Sequence, residues 1–594
     1  MAQEIKSASQ NSRNKRELGV QHLRSLVRFR KKIYPSKIQR NYKSLRVSPD
    51  EKQNFIFTVF ELMTTLSKQD LDKQRSIPGF PIGSDEDIIA LSDPPHYTAC
   101  PNPFIDDFIK QNGSQYDQKS DYSATPYAKD VTSDKHDAVY NIISHHTKVP
   151  PKAIIRYILH YTKPGDLIYD GFCGTGMTGV AAQMCQNPEP EFKKIIENEM
   201  PGIKWGARNA ILCDISPIAT FIAHNLNNSI NKDEFEKQAK QILEQVEQEY
   251  GWMYQTQHVE DGQIQYDTDG SKKPVMGKIN YTVWSDVFLC PNCTQELVFW
   301  DIMYINNELV NQPKCPSCNI NLKILDMEHV QVSKYDHILN HNTKQIKKIP
   351  VLINYTVNRG RKSARFNKKP DQFDLELIKK IDNTKIKDWY PSNPMMNKGE
   401  RWGDTWRSGV HAGITHVHHF YTKRNLSLLS FLHKTIKRNG SLFHLRLLLL
   451  KNSFDPGFVS KLTRYNFCKR GNSPLSGTLY VPSFQVERLP NEVFKNKLKD
   501  FLFQFNSTYD YFVTTQSSTH IPQIPNNSID YIFTDPPFGD NLMYSELNFI
   551  QESWLKVITN NKDEAIMNDT QKKELAEYQK LMTDCFTENH RILK

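Results

Sequence analysis

The chain lacks the long apolar runs and the dense cysteines that mark membrane and disulfide-rich proteins. Its longest apolar run, residues 447–450, is bounded by Arg446 and Lys451, whereas a membrane span needs roughly 18 apolar residues. Ten cysteines in 594 residues are too few for a disulfide scaffold. The first ten residues, MAQEIKSASQ, contain no apolar signal core. We therefore expect a cytoplasmic protein with reduced thiols and no membrane partner.

The composition excludes disorder along the whole chain, and the positions of Lys and Arg show where the positive charge is concentrated. With 38% apolar and 11% aromatic residues, the chain can bury several cores, and its length suits about three or four domains. The net charge of +10 is concentrated in two blocks. Residues 1–50 hold thirteen Lys or Arg against three Asp or Glu, and residues 421–470 hold eleven against one. Such blocks favour a polyanionic partner such as nucleic acid, although a solvated basic face has the same composition.

From residue 150 the sequence pattern becomes α/β. A helix is predicted over PPKAIIRYILHYT, a strand over DLIYD, a glycine-rich turn over GFCGTGMTG, and a second strand, ending in an acid, over AILCDIS. This order predicts half of a Rossmann-like fold. Residues 66–135 are rich in Asp, Pro, Ser and Gly and predict mostly ordered loops. From residue 563 a helix is predicted to run to the last residue.

The glycine loop alone has three interpretations. Gly174, Gly176 and Gly179 fit the dinucleotide pattern G-x-G-x-x-G. However, the acid expected about 20 residues further on is found at Asp214, 35 residues after Gly179. An S-adenosylmethionine site uses the same parts, with an acid at the end of the second strand holding the ribose hydroxyls. The third interpretation is a purely structural turn.

A second motif favours methyl transfer. Asp535, Pro536, Pro537 and Phe538 follow the apolar segment DYIFT. Methylation of an exocyclic amine needs acceptors for the amine hydrogens, which the Asp535 carboxylate and the Pro536 carbonyl supply. The base must also be gripped on its face once it has left the stack, and Phe538 supplies an aromatic ring. Together with the glycine loop and Asp214, this motif predicts an amine methyltransferase rather than a plain Asp-Pro-Pro turn.

A second Asp-Pro-Pro sequence competes with the first. Asp93, Pro94 and Pro95 also follow an apolar run, but the next aromatic ring, that of Tyr97, is displaced by one position. The following segment, ACPNPFIDD, predicts a loop instead of a helix. We therefore favour Asp535.

With these motifs the chain resembles amino-group DNA methyltransferases of the Asp-Pro-Pro-Tyr/Phe kind. More narrowly, it resembles the large site-specific, adenine-type DNA methylases that carry a zinc ribbon. The similar stretches span residues 97–555 and include HHTKVPPKAIIRYILHYTKPGDLIYDGFCGTGMTGVAAQ, RWGARNAILCDISPIATFIAHN, GVHAGITHVHHFYTKRN and TDPPFGDNLMYSELNFIQESWL. The resemblance implies an α/β fold, a Rossmann-like S-adenosylmethionine-dependent methyltransferase sheet with an inserted zinc ribbon and target-recognition region.

The resemblance also assigns roles to residues. The family's cofactor-binding positions map to Thr147, Asp170, Phe172, Gly174, Gly176 and Asp214. Its catalytic tetrapeptide maps to Asp535, Pro536, Pro537 and Phe538, with Phe in place of the commoner Tyr. The implied cofactor is S-adenosylmethionine and the implied partner is double-stranded DNA, with a restriction endonuclease as a further candidate partner.

Two Cys-x-x-Cys pairs predict a metal site. Cys290 and Cys293 are separated by 21 residues from Cys315 and Cys318. Four thiolates form a closed tetrahedral zinc site without an open position, so the expected zinc is structural. Unrelated free thiols are the weaker alternative.

Other polar residues have less specific interpretations. His411, His416, His418 and His419 could bind a metal, but polar contacts near DNA or in the core are the favoured interpretation. Candidates for phosphate contacts lie in the second basic block: Lys423, Arg424, Lys437, Arg438, Arg464, Lys469 and Arg470.

The resemblance further predicts three more sheet strands after the catalytic motif, where the sequence ends with HRILK. We therefore expect a core that is C-terminally truncated, completed by a separate chain, or intact in a form that the family pattern does not describe. We expect the isolated chain to be poorly stable or inactive. The predicted units are a basic N-terminal extension (1–135), a cofactor half (136–250), a zinc ribbon (280–335), a basic recognition region (336–500) and a catalytic half (501–594). The expected function is methylation of a DNA base amine, most simply adenine N6. The alternatives are an inactive DNA-binding fragment and a methyltransferase acting on an RNA or protein amine.

Overall fold

The structure is a computed structural model that describes residues 65–594 apart from fourteen gaps. The gaps are residues 118, 120–121, 129, 132–137, 144–147, 230–231, 268–271, 307, 360–361, 396–412, 439–458, 468–471, 499–509 and 541. The first basic block, Thr147 and His411 lie outside the described residues. Within the described part, no helix combines the length and apolarity needed to cross a bilayer.

The strands belong to one parallel sheet and to several antiparallel ones. In chain order they are β1 (Tyr97–Thr98), β2 (Leu167–Asp170), β3 (Asn209–Asp214), β4 (Gln255–Gln257), β5 (Val259–Glu260), β6 (Gln263–Ile264), β7 (Met276–Leu289), β8 (Glu296–Val298), β9 (Tyr304–Ile305), β10 (Glu308–Leu309), β11 (Glu328–His329), β12 (Gln331–Asp336), β13 (His341–Ile346), β14 (Lys348–Arg359), β15 (Lys362–Lys368), β16 (Phe484–Arg488), β17 (Tyr511–Thr515) and β18 (Tyr531–Ile532).

The helices are distributed along the whole described chain. In chain order they are α1 (Lys68–Gln74), α2 (Asp85–Leu91), α3 (Ile105–Asn112), α4 (Ala138–Ile142), α5 (Pro151–Tyr161), α6 (Met177–Met184), α7 (Pro190–Glu199), α8 (Pro217–Asn227), α9 (Lys232–Tyr250), α10 (Phe299–Met303), α11 (Gln372–Asn383), α12 (Lys423–Arg438), α13 (Pro490–Leu498), α14 (Tyr544–Leu555) and α15 (Leu575–Ile592).

The parallel sheet has the strand order β1-β17-β3-β2-β18. All its pairings are parallel, with Thr515 opposite Asp214 and Asp170 opposite Leu212. The four residues of β2 are buried, as expected for a strand covered on both faces. Asp170 and Asp214 therefore end neighbouring strands at the same edge of the sheet. The strands predicted over DLIYD and AILCDIS are confirmed.

Small residues let α6 approach α8 closely. A Cβ atom at Gly176 would lie 2.7 Å from Cβ of Ala223, and one at Gly179 would lie 2.5 Å from Oδ1 of Asn227. Gly176 also has a left-handed backbone, with φ of +73°, which favours glycine. Helix α5 begins with Pro151 and buries Ile154, as the sequence predicts.

The segment before residue 135 is more regular than its composition suggested. The prediction of mostly loops over residues 66–135 is wrong for α1, α2, α3 and β1. Helix α3 buries Ile105, Phe108 and Ile109, whose spacing of three and four residues is helical. The turn-forming residues around these short elements obscured that spacing. Strand β1 pairs in parallel with β17, so the described part of this segment adds a strand to the parallel sheet.

A largely antiparallel sheet is built around the long strand β7. Strand β14 pairs with β7 and with β15, and β16, β4, β8 and β11 also pair with β7. The two cysteine pairs and the hairpin formed by β12 and β13 lie between β7 and β14 in the sequence. In the sequence, this sheet therefore lies between the cofactor-type motif and the tetrapeptide.

The last residues pair next to β18. Leu593 forms a parallel bridge with Ile529, and the Lys594 amide donates to the Ile529 carbonyl over 3.0 Å. The prediction that a helix runs from residue 563 to the final residue is wrong, because α15 covers only Leu575–Ile592. Short 3-10 turns and loops occupy residues 561–574, where Asn560 and Asn568 cap the turns with their side chains.

Candidate active site

The glycine loop connects the end of β2 to the start of α6. Asp170 ends β2, and its carboxylate accepts hydrogen bonds from the Phe172 amide at 3.1 Å and from Oγ1 of Thr178 at 2.5 Å. Gly174 and Gly176 both have positive φ, which lets the loop turn sharply into the helix. The loop is therefore folded around the buried Asp170 carboxylate.

Asp214 holds the same loop from the neighbouring strand. Its Oδ2 accepts from the Gly174 amide at 2.9 Å, and its Oδ1 accepts from the Ser216 amide at 2.9 Å. Asp214 is half-buried, and its carboxylate thus faces the glycine loop at the point where β3 ends and the chain continues toward α8. The sequence predicted Asp170, Gly174 and Asp214 as parts of one site, and the structure brings them together.

The tetrapeptide follows β18 and is supported from behind. The hydroxyl of Tyr578 donates to the Pro537 carbonyl over 2.8 Å. A Cβ atom at Gly539, where φ is +81°, would lie 2.9 Å from the Tyr578 ring. Within the described part of the chain, no group hydrogen-bonds the Asp535 carboxylate. The Phe538 ring is 68% exposed. The two side chains expected to meet a substrate are therefore accessible.

Both motifs line one cavity, which we call the shared cavity. Asp170, Phe172, Gly174 and Asp214 line one side, and Asp535, Pro536, Pro537 and Phe538 line the other. Gly176 lies behind this lining, against Ala223. Asp93 of the competing Asp-Pro-Pro sequence is not among the lining residues and lies 3.2 Å from Nε2 of His224.

Several lining residues were not predicted. Ser517 and Ser518 follow β17, and Asn548, Thr559 and Glu564 come from α14 and the loop after it. The serines could have been found from the rule that ligands bind beyond the carboxyl ends of parallel strands. No comparable sequence signal marks Glu564, whose carboxylate accepts from the amide and hydroxyl of Ser545 at 2.9 and 2.6 Å.

Burial raises the pKa of the carboxyl groups around the shared cavity. The pKa of Asp170 is raised to about 7 and that of Asp214 to about 6, in both cases chiefly by loss of hydration. Loss of hydration also raises the pKa of Asp535. A cationic ligand would stabilise the ionised forms, so the cavity is suited to a molecule that carries positive charge.

A buried glutamate joins the two sides of the cavity. Glu552 on α14 accepts from Oγ of Ser216 at 2.7 Å and from the amide and hydroxyl of Thr559 at 2.8 Å. The Ser216 amide in turn donates to Asp214. Burial raises the pKa of Glu552 to about 7. This network fixes the helix after the tetrapeptide against the end of β3.

The four predicted cysteines converge. Sγ of Cys290 lies 3.7 Å from Sγ of Cys318, and Sγ of Cys293 lies 3.7 Å from Sγ of Cys315. Four sulfurs bound tetrahedrally at about 2.3 Å from one zinc ion are about 3.8 Å apart, so the spacing suits this ion. Each pair also has the same backbone turn, in which the Thr294 and Asn319 amides donate to the carbonyls of Cys290 and Cys315.

The histidines form a different cluster, which we call the Asp336 clamp. Nε2 atoms of His418 and His419 lie 2.8 and 3.0 Å from Oδ2 of Asp336. The Thr415 amide donates to Nδ1 of His419 over 3.3 Å, which leaves the ring proton on Nε2. Burial lowers the pKa of His419 to about 4, so this ring is neutral at pH 7. The protonated Nε2 donates to Asp336, and Asp336, His418 and His419 also bring their ligand atoms within 4.8 Å of one another, which is close enough to hold a metal ion. His416 contacts Thr415 through Nδ1.

One proposed phosphate contact is wrong. Arg424 is 4% exposed, and its guanidinium pairs with the buried Glu487 carboxylate. It therefore ties α12 to β16 inside the protein. Lys423 donates to the Asp382 carbonyl over 2.5 Å. Arg464 is exposed and remains a candidate, whereas Lys469 and Arg470 and the side chains of Lys437 and Arg438 lie outside the described residues.

A comparison with protein families finds a match for residues 37–218 of the chain. Residues 37–218 match the family model described as DNA methylase, of the N6/N4 type. These residues belong to the DNA methylase family. The match includes the glycine loop and Asp214 and ends before the tetrapeptide. Searches among curated proteins and among solved structures gave no match.

This match confirms the resemblance to N6/N4-type DNA methylases over residues 37–218, but it does not extend to the predicted zinc ribbon. A match to this family supports a methyltransferase that modifies an amine of DNA. The mixed α/β structure with its parallel sheet agrees with this family. The four cysteines lie outside the matched range and could bind a metal through their sulfurs.

Proposed function

We propose that the chain transfers a methyl group from S-adenosylmethionine to an exocyclic amine of a DNA base, with adenine N6 preferred over cytosine N4. The observation that carries this proposal is the shared cavity, in which the glycine loop and Asp214 face Asp535, Pro536 and Phe538. The preference for adenine follows from the Asp at the start of the tetrapeptide, as in the adenine-type methylases that the sequence resembles.

The cavity suits S-adenosylmethionine because of its acidic lining. Asp170, Asp214, Asp535 and Glu564 all line it, and the sulfonium of this cofactor is cationic. In the Rossmann-like arrangement that we propose, Asp214 accepts hydrogen bonds from the ribose hydroxyls. The backbone around Gly174 then approaches the methionine part. A pyrophosphate would instead place negative charge among these carboxylates, which disfavours a dinucleotide.

The tetrapeptide would activate the amine by accepting its hydrogens. The Asp535 carboxylate and the Pro536 carbonyl take the two N–H groups, and Phe538 stacks on the base once it has left the duplex. S-adenosylmethionine supplies an electrophilic methyl carbon when bound. As the nitrogen forms its bond to the methyl carbon, the carbon–sulfur bond would break and S-adenosylhomocysteine would leave. The Asp535 carboxylate, whose pKa is raised by loss of hydration, would hold the proton that the nitrogen loses. Catalysis is then mainly positioning and electrostatic stabilisation.

We further propose that Cys290, Cys293, Cys315 and Cys318 hold one structural zinc ion. Their 3.7 Å sulfur separations support a tetrahedral site. Four thiolates leave no open position, so this zinc would stabilise the ribbon and take no part in methyl transfer.

The proposed function is tested by identifying the methylated nucleoside. Unmethylated duplex DNA is incubated with the protein and S-adenosylmethionine carrying a deuterated methyl group, then digested and analysed by mass spectrometry. Labelled N6-methyladenine is the expected product. Labelled N4-methylcytosine would show that the substrate base is cytosine, while the reaction class, methylation of an exocyclic amine, would stand. Label only in RNA or protein, or no label despite cofactor binding, would contradict the proposal.

Cofactor binding is expected to weaken as the pH falls below about 6. Binding through the ribose requires the Asp214 carboxylate, whose pKa is raised to about 6 by burial. Well below this pH, the affinity for S-adenosylhomocysteine should fall about tenfold per pH unit, because one proton must be lost on binding. Calorimetric titrations between pH 5 and pH 8 would measure this profile.

The matched control for this prediction is Asp214→Asn. Asp170, whose pKa is about 7, titrates in both proteins, at a somewhat lower pH in the variant because the charge of Asp214 contributes to its raised pKa. The difference between the two profiles therefore reports Asp214. At pH 7.5 the variant should bind about tenfold more weakly, since hydrogen bonds to a charged acceptor are the stronger ones. An identical profile in the variant would remove Asp214 from the cofactor site.

A further inference from the structure

The hairpin formed by β12 and β13 has two chemically different faces. Its register pairs Ser333 with Lys344 and Lys334 with Thr343 across the two strands. Because directly opposed residues share a face of an antiparallel pair, alternate pairs define two sets. The inner face consists of Val332, Lys334, Asp336, His341, Thr343 and Gln345. The outer face consists of Gln331, Ser333, Tyr335, Asn342, Lys344 and Ile346.

The inner face is fixed to the rest of the protein. The Asp336 clamp ties it to His418 and His419, in the segment before α12. Nζ of Lys334 lies 3.8 Å from the Asp382 carboxylate of α11. At the base, the Val330 amide donates to the Val287 carbonyl of β7. These contacts hold the hairpin from one side and leave its outer face toward solvent.

The outer face is polar, exposed and free of carboxylates. Gln331, Ser333, Tyr335, Asn342 and Lys344 are all exposed. The amide, hydroxyl and ammonium groups of Gln331, Ser333, Asn342 and Lys344 make no hydrogen bond or ion pair with any other residue that the structure describes. Five neighbouring side chains are thus able to donate hydrogen bonds while none carries a negative charge.

We propose that the outer face of the β12–β13 hairpin reads DNA in the major groove. This inference rests on the proposed function and names the surface that selects its substrate. A two-stranded antiparallel ribbon is one of the two elements that the major groove of B-form DNA admits. Strands of six residues extend about 20 Å, which corresponds to about six base pairs at 3.4 Å each.

The side chains of this face match the chemistry of base edges and phosphates. Asn and Gln pair with adenine through two hydrogen bonds, as Asn342 and Gln331 can. Lys344 binds either guanine or a phosphate, and it has no acidic neighbour on its face to neutralise it. Duplex RNA has a deep, narrow major groove that side chains cannot read, so the geometry points to DNA.

The test compares two lysines on opposite faces of the same hairpin. Lys344→Ala removes a cation from the outer face, and Lys334→Ala removes one from the inner face and serves as the matched control. Binding to an unmethylated 40-base-pair random-sequence DNA duplex is followed by fluorescence anisotropy at several salt concentrations. We expect Lys344→Ala to weaken binding about tenfold and to reduce the salt slope by about 1. Lys334→Ala should change binding less than twofold.

A second variant tests base recognition separately from charge. In Gln331→Ala/Asn342→Ala, methylation of the preferred site should fall at least tenfold relative to other sites, while S-adenosylhomocysteine binding and thermal melting stay unchanged. Equal effects of Lys344→Ala and Lys334→Ala would overturn the proposal, as would equal competition by duplex RNA. The proposed function fails in a different way, because the wild-type protein then methylates no DNA at all.

Discussion

Replacement of Asp535 by asparagine is expected to lower the rate of methyl transfer to DNA by about a hundredfold to ten-thousandfold, the range for losing one group that acts on a developing charge or a proton. The asparagine amide keeps one acceptor oxygen, but it carries no negative charge and cannot take the proton that the amine loses. Asp535 has no hydrogen-bond partner among the described residues, so its carboxylate is available for a substrate. Cofactor affinity should change less than about threefold, because Asp214 and the glycine loop are unaltered.

The competing Asp-Pro-Pro sequence supplies the control for this experiment. Asp93→Asn makes the same chemical change beside the same dipeptide but outside the shared cavity. It should retain the wild-type rate once folding has been verified by thermal melting. Single-turnover kinetics with bound DNA separate the chemical step from binding. Normal rates for Asp535→Asn, or equal losses in both variants, would show that the tetrapeptide does not act on the amine.

Removal of one cysteine from the proposed zinc site should eliminate the bound metal and unfold the ribbon. The free energy of zinc binding to such sites is on the order of 10 kcal/mol and is available only to the folded ribbon. The buried residues Phe288, Leu297, Leu322 and Met327 pack with Cys290 and Cys315, so their small core depends on the ligands. In Cys315→Ser, the zinc content measured by mass spectrometry should fall from one ion per chain to near zero.

A buried cysteine outside the cluster provides the matched control. Cys185 is fully buried in the parallel-sheet core, and Cys185→Ala should lower the melting temperature while the zinc content stays at one ion per chain. Limited proteolysis should then cut Cys315→Ser within the ribbon, at residues 290–327, and leave this control intact. Zinc-free wild-type protein with an intact ribbon would contradict the assignment.

Sequence patterns correctly predicted those structural elements that depend on only a few adjacent residues. The strands ending at Asp170 and Asp214, the glycine loop and the two cysteine pairs were all predicted correctly as structural elements. Each depends on a few adjacent residues: an apolar run, a turn that requires positive φ, or a fixed ligand spacing. That these residues line one cavity with the tetrapeptide could be expected only from the family resemblance.

Features that depend on distant pairing were not predicted. The sequence around β1 shows only two strand residues, and its partner β17 lies more than four hundred residues away. Arg424 looked like a phosphate contact because its neighbours are basic, whereas its partner Glu487 comes from a strand 63 residues later. Burial is set by the tertiary structure, so composition alone could not separate this arginine from the exposed cations around it.

The interleaved order of the parallel sheet has a consequence for folding. Strand β17 lies between β1 and β3, so the central part of the sheet cannot close until residue 515 has been synthesised. At typical synthesis rates of about 5–20 residues per second, β2 and β3 wait about 15–60 seconds for this neighbour. The antiparallel sheet around β7 pairs mostly between residues 255 and 368, so it can form during that interval. We therefore expect the inserted antiparallel sheet to fold first and the parallel sheet to assemble last. The unpaired edge of β3 is then the point where the nascent chain most needs protection from aggregation.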